Sequence, residues 1–370
     1  MKVAMVVPGG VDRSGTERVI PTLLALIERV AAEHELHVFA LTQEPRPATW
    51  PLLGATVHNA GTRRPSLRAF RDILAEHRRA PFDVLHGIWV SPGLVAGTAG
   101  RLLRRPVLLH VVGGDVAALP EIGYGLQRSP AGRLRLRAAA RLASQVTANS
   151  GYAVRLAAER RVEAERVTYG VSAREWPPLA PRRREPGTEA RLLFVASLNR
   201  VKDPWTMVRA AAALRDRGVA YRLDVIGGDT LGGEIQGLAE SLGVGEGVRF
   251  HGFLPQAELR PWMERADLLL VTSRHECGPM VAMEAALAGV PTVGTRVGLL
   301  AEWAPDAALP IPTADSGALA DAVVALLGDE DRRLRLAEAA QHRALADDAD
   351  HAATRVLEIY RTLTHRGGRT

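Results

Sequence analysis

The 370-residue chain has a single cysteine, Cys277, so no intrachain disulfide can staple it, and a reducing compartment fits that usage. No apolar run approaches the roughly 18 residues that span a bilayer. The opening run Lys2–Val7 stops at Pro8-Gly9, too short for a signal-peptide core. Phosphate-loop spacing GxxxxGK[ST] does not occur, nor do HExxH and cysteine-rich zinc spacings. Asp348 and Asp350 lie in a late helical pattern far from any strand exit, so no metal ligands are expected. Lysine is nearly missing: of 47 basic residues only Lys2 and Lys202 are not arginine. Lys2 reads as a solvated start residue. Lys202, placed mid-chain, suggests a need for a compact ammonium.

The charge is unevenly spread. Residues 1–172 carry 23 basic and 14 acidic residues, a net +9, against −3 for the remainder. A basic N-terminal half suits an anionic partner such as a phosphate-linked acceptor or an anionic lipid surface, and it equally suits a solvated face. Nucleic acid is disfavoured, because no recognition motif or aromatic platform accompanies the charge.

Length suggests two domains. Strand-like runs, including Val3–Val7, His37–Leu41, Val84–His86 and Val107–Val112, alternate with helical patterns at Val19–Ala32, Leu67–Arg79 and Leu94–Leu103. Residues 173–190, with four prolines and the triplet Arg182-Arg183-Arg184, read as a linker. The alternation restarts with strands near Leu192–Ala196, Tyr221–Ile226, Val248–Phe250, Leu268–Val271 and Thr292–Val293. The expectation is an α/β chain of two Rossmann-like doubly wound domains facing across a cleft, 1–172 and 191–349, with ligands at the carboxyl ends of strands.

Four constellations sit at such strand exits. In Ser273-Arg274-His275-Glu276-Cys277-Gly278-Pro279-Met280-Val281-Ala282-Met283-Glu284, a helix is expected to open at Gly278-Pro279, with Glu284 about two turns inside. The amides of Cys277 to Val281 would form a positive helix terminus suited to phosphate, with Glu276 and Glu284 accepting hydrogen bonds from hydroxyl-rich groups. A helix-dipole role for Glu276 and a surface position for Glu284 are the plainer alternatives. Ser197-Leu198-Asn199-Arg200-Val201-Lys202 offers two cations to a diphosphate. Gly227-Gly228, with Phe253-Leu254 after the next strand, allows close backbone approach to a base or phosphate. The loop Pro8–Arg18 lacks a dinucleotide fingerprint, although its amides could face an anion.

Taken together these residues resemble the GT-B glycosyltransferases of family four, the large retaining group also described as glycosyl transferases group 1. The order Lys202-Asp203, Ile226-Gly227-Gly228, His251-Gly252-Phe253, Ala266-Asp267, Ser273, Glu276, Glu284, Ala288-Gly289-Val290-Pro291 and Gly298…Glu302 carries the resemblance. Gly15-Thr16-Glu17-Arg18, Asp83-Val84-Leu85-His86, Gly113-Gly114-Asp115 and Tyr169-Gly170-Val171 fit more loosely.

The resemblance implies a nucleotide-sugar donor, a UDP- or GDP-sugar, with no further cofactor and no obligatory metal. It implies donor contacts from Gly15, Ser197, Arg200, Lys202, Gly227, Gly228, Phe253, Leu254, Ser273, Glu276, Cys277, Gly278, Pro279, Met280, Val281 and Glu284. Among these Lys202 would hold the diphosphate, Glu276 the sugar and Glu284 the ribose. Arg18, His86 and Asp115 would lie on the acceptor side, facing a glycan, lipid-linked or small-molecule acceptor. The C-terminal helix, 350–364, would return to the N-terminal domain.

Where the family often has a histidine near the acceptor, this chain has Val112. His110, two residues earlier on the same strand face, is the candidate replacement and the third catalytic candidate beside Lys202 and Glu276. The implied protein is a cytoplasmic transferase in glycan synthesis. A non-catalytic nucleotide-sugar binder and a sugar-nucleotide epimerase are the alternatives. The run Arg128–Leu142 has five arginines and no acid; from Gly132 on it is expected to form a helix with Leu134, Ala138 and Leu142 on one side, which would suit peripheral contact with an anionic membrane or packing on the sheet.

Overall fold

In the computed structural model, which describes residues 1–367, the chain forms two compact α/β units. One comprises Met1–Ser172 with the segment from Asp347 onward; the other is Ala173–Ala346.

The first unit is built on an eight-stranded sheet. Its strands are β1 (Lys2–Val7), β2 (Glu35–Ala40), β3 (Ala48–Leu52), β4 (Ala55–Asn59), β5 (Val84–Ile88), β6 (Val107–Val111), β7 (Gln145–Ala148) and β8 (Glu165–Arg166). Their order is β3-β4-β2-β1-β5-β6-β7-β8. Only β3 runs antiparallel, paired with β4. These two form a hairpin around Leu53-Gly54, both at positive φ (49° and 83°). That geometry belongs to the tight turns that favour Asn-Gly, so a leucine in the first position hides the turn from a sequence reading. Strands β1 and β6 are buried along their whole length, as parallel strands covered on both faces are.

The second unit has strands β9 (Ala190–Val195), β10 (Tyr221–Ile226), β11 (Val248–Gly252), β12 (Leu268–Val271), β13 (Thr292–Thr295) and β14 (Leu309–Ile311), in the order β11-β10-β9-β12-β13-β14. All its pairings are parallel. The order reverses between β9 and β12, so the loops leaving those strands stand beside each other at the switch point where doubly wound sheets bind ligands.

The expected linker is part of the second unit. Its triplet is ion-paired: Arg182 and Arg184 reach Asp267 at 2.7 and 3.1 Å, and Arg183 reaches Asp331 at 2.8 Å. The helical end divides into Ser316–Leu327, Glu330–Ala346 and Ala349–Gly367. The last of these lays Ala353, Val356, Leu357, Ile359, Tyr360 and Leu363 into the core of the first unit.

Candidate functional site

Two neighbouring strand exits build the main candidate constellation of the second unit. Residues 199–203 follow β9, and residues 272–276 follow β12. They are stitched together: Thr272 Oγ1 donates to the carbonyls of Lys202 and Asp203 at 2.8 and 2.9 Å, and the Arg274 amide donates to the Val201 carbonyl at 2.7 Å. Asp203, at φ 47°, caps the helix Pro204–Asp216 through Thr206 and pairs with Arg274 at 2.6 Å. This scaffold sets Lys202 Nζ on Glu276 Oε1, and Ser273 Oγ donates to the same oxygen at 2.7 Å. Ser197 and Arg200 are exposed beside them. Gly298, at φ 56°, opens the next helix; a Cβ there would lie 3.0 Å from the Glu276 Cβ, so only glycine lets this turn approach the Glu276 loop.

The helix Met280–Leu287 begins one residue after Pro279, and no side chain caps its N-terminus. Met280 and Val281 therefore sit in a first turn whose amides have no intrahelical acceptor, with Cys277 buried and Gly278 half-buried before it. Glu284 lies about one turn inside this helix rather than two, because the helix starts later than expected. Nor is it a surface residue. It is buried and accepts a hydrogen bond from Gln256 Nε2 at 2.8 Å, and desolvation pushes its carboxyl up to about 7. Gln256, which opens the helix Gln256–Arg265, was not singled out from the sequence; nothing local marks a glutamine 28 positions away as a partner of Glu284.

Gly227 and Gly228 divide in role. A Cβ on Gly227, at φ 152°, would strike the Ala196 carbonyl oxygen at 1.9 Å, so this glycine serves the crossing of the chain's own loops. Gly228 faces open space. Phe253 stands 70% exposed, with Leu254 half-buried beside it. His251, one turn of chain away, bonds Asp224 at 2.7 Å and lies against Trp262.

In the first unit the loop after β1 holds no free amides for an anion between Gly10 and Glu17, apart from those of Asp12 and Arg13. Gln43 Oε1 accepts from the amides of Gly10 and Val11 at 2.6 and 2.9 Å. Asp12 takes those of Ser14 and Gly15, and Ser14 Oγ takes those of Thr16 and Glu17. What the loop presents is the Arg18 guanidinium, exposed and paired with Asp12. Asp115 is buried, receives the amides of Val90 and Val112 at 3.1 and 3.2 Å, and is pushed up to about 7 by desolvation.

His86 and His110 have no exposed surface. His86 lies between Tyr360 Oη at 2.7 Å and Tyr169 Oη at 3.1 Å; His110 bonds Thr147 Oγ1 at 2.8 Å and stacks on the Tyr169 ring. Burial lowers both rings' pKa, that of His86 to about 3. Both rings are enclosed in the core, where His110 Nε2 has no hydrogen-bond partner among the described residues, so neither presents a nitrogen at the surface as the expected acceptor-side roles would require.

Lys2 is not a solvated start residue. Its ammonium is buried and pairs with Glu76 at 2.7 Å and Glu35 at 3.1 Å. Glu35, His37 and Glu76 bring potential ligand atoms within 4.8 Å of one another, and the Lys2 ammonium already supplies their counter-charge.

The second unit thus gathers cations, carboxylates and hydroxyls at a switch point of its sheet. Residues 15–169 match the family described as glycosyl transferase 4-like domain, and residues 179–343 match glycosyl transferases group 1. The chain is 34% identical over 179 residues to D-inositol 3-phosphate glycosyltransferase of Corynebacterium urealyticum, covering 46% of this chain and 42% of that protein. It is 35% identical over 189 residues to D-inositol 3-phosphate glycosyltransferase 1 of Catenulispora acidiphila, covering 48% and 45%. The matched region thus spans less than half the length of these curated relatives.

Two solved structures share the fold over almost the whole chain. Sucrose-phosphate synthase from Thermosynechococcus elongatus superposes with a TM-score of 0.82 at 20% identity, covering 99% of both chains. Anabaena Alr3699/HepE in complex with UDP superposes with a TM-score of 0.75 at 17% identity, covering 98% of this chain and 100% of that one. Each half of the chain thus matches a glycosyltransferase domain family, the glycosyl transferase 4-like domain in residues 15–169 and glycosyl transferases group 1 in residues 179–343, on the GT-B fold.

Proposed function

We propose that the chain is a retaining glycosyltransferase that moves a sugar from a nucleoside-diphosphate sugar to a hydroxyl acceptor without a metal ion. The observation that carries this is the Lys202–Glu276–Ser273 cluster at the β9 and β12 exits, with buried Glu284 in the helix that follows. In this reading Lys202, helped by Arg200, holds the diphosphate, the first-turn amides of Met280 and Val281 add positive potential, and Glu276 accepts from a sugar hydroxyl. Glu284 accepts from a ribose diol, and Phe253 borders the base. The acceptor oxygen bonds the anomeric carbon as the bond from that carbon to the diphosphate oxygen breaks, and the acceptor's proton is released. Lys202 stabilises the charge that grows on the departing diphosphate.

Uridine is the favoured base, because a neighbour of the same fold is solved with UDP and with UDP-glucose. A phosphorylated polyol is one acceptor that the named relatives suggest, and Arg18 offers a cation for it. Glycan synthesis and a cytoplasmic location fit this chemistry; no helix among the described residues is long and apolar enough to cross a membrane.

The test is a thermal-shift screen of nucleoside diphosphates and their sugars, followed by product analysis with polyol phosphates and glycans. A ligand that binds only the folded state raises the melting temperature by mass action. No shift with any nucleoside diphosphate would overturn the proposal.

A further inference from the structure

The surplus positive charge of residues 1–172 has a definite location. Residues 62–71, 89–105 and 128–142 contain twelve arginines and no acid, while the rest of that span carries eleven basic and fourteen acidic residues. These three stretches form or flank the helices Pro65–Arg79, Val90–Leu103 and Pro130–Leu142, which pack side by side. The charge is therefore not scattered. Most of it lies on these three helices, although Arg137 and Arg141 turn to a second groove shared with Glu163, Glu165 and Glu358, and Arg68 pairs with Asp72 at 3.7 Å.

That face is also apolar. Ser66, Leu67 and Phe70 on one helix and Leu94, Val95 and Thr98 on the next line a groove of about 370 Å³, with Arg135 on its wall. Thr98 Oγ1 is spent on the Leu94 carbonyl at 2.7 Å, which lowers the polarity of the wall. Leu67 is 44% exposed and Leu134 67% exposed. The helix Pro130–Leu142 buries Gly132, Leu136 and Ala139 instead of the expected stripe through Leu134, so Leu134 is turned outward among arginines. Arg63, Arg64, Arg71 and Arg135 have no ion pair among the described residues. Cations without partners around exposed leucines and an apolar groove match the two layers of an anionic membrane surface, headgroups outside and chains beneath. A nucleic acid would use the charge but not the leucines.

We propose that this three-helix face docks the protein on an anionic lipid surface, with Leu67 and Leu134 entering the acyl layer and one lipid chain lying in the Leu67–Phe70–Leu94–Val95 groove. The proposal concerns only the first unit, so it stands or falls separately from the transfer reaction.

The full chain is sedimented with vesicles of phosphatidylcholine alone and of phosphatidylcholine with phosphatidylglycerol, over a range of salt. Binding is expected to the anionic vesicles only and to weaken with salt. Neutralising Arg63, Arg64 and Arg135 together to glutamine should lower partitioning by about fivefold per charge. Leu67→Ser with Leu134→Ser should lower it a further tenfold or more, with the circular-dichroism melt unchanged because both side chains are exposed. Equal or negligible binding to both vesicle types overturns the proposal. So does vesicle binding that the leucine changes leave untouched, or binding to a DNA duplex as tight as to anionic vesicles; either would reduce the face to a general polyanion surface. Donor binding measured on the same samples reads the second unit independently.

Discussion

Lys202 and Glu276, 74 positions apart, form an ion pair, and Ser273 donates a hydrogen bond to the same carboxylate oxygen. The cation proposed for the diphosphate and the carboxylate proposed for the sugar thus hold each other in position. Charge on the leaving diphosphate grows in the transition state, so Lys202→Ala should lower kcat more than it weakens donor binding. Lys202→Arg should restore little, because a planar fork does not fit a site shaped around a compact ammonium. Steady-state kinetics beside a donor titration separate the two effects; a loss confined to KM would reduce Lys202 to uniform binding.

Glu284 should show opposite signs in stability and affinity. Its pKa in the folded protein, about 7, lies above its ordinary 4.5 because burial penalises the charged form. The stability it contributes is complete below pH 4.5 and is lost as pH rises through 7. Glu284→Gln should therefore raise the melting temperature by a few degrees at pH 8 and hardly change it at pH 4. The same variant should bind donor more weakly, and Glu284→Ala should cost about 2–4 kcal/mol of donor affinity. An unchanged donor affinity in a calorimetric titration removes Glu284 from the site.

Activity should survive excess EDTA. The diphosphate charge has Lys202, Arg200 and the first turn of the helix Met280–Leu287 to meet it, and the carboxylates near them are engaged by Lys202, Ser273 and Gln256. A strict requirement for magnesium or manganese in the transfer assay would refute this assignment of roles.

Tyr360 ties the C-terminal helix to the sheet through His86 Nδ1 at 2.7 Å. Tyr360→Phe leaves a buried imidazole nitrogen without that partner, which should cost about 1–3 kcal/mol of stability. Chemical denaturation should show a lowered midpoint with donor affinity preserved. Lost donor affinity at unchanged stability would mean that the network serves the second unit rather than the fold of the first.

Much of the fold was legible along the chain, for local reasons. Parallel strands buried on both faces are short apolar runs, and strands such as Tyr221–Ile226 and Leu268–Val271 stood out with their observed limits. The scarcity of lysine pointed to Lys202, and the order of motifs from Lys202 to Glu302 pointed to the family. What tertiary structure decided are the meetings between distant segments. It buried Lys2 between Glu35 and Glu76, enclosed His86 and His110 beside Tyr169, set Gln256 on Glu284, and brought three arginine-rich stretches side by side. Periodicity reports which face of an element is apolar. It carries no information about which other element covers that face, and burial and pairing, which set whether a lysine or histidine is solvated or enclosed, follow from strand order and helix packing alone.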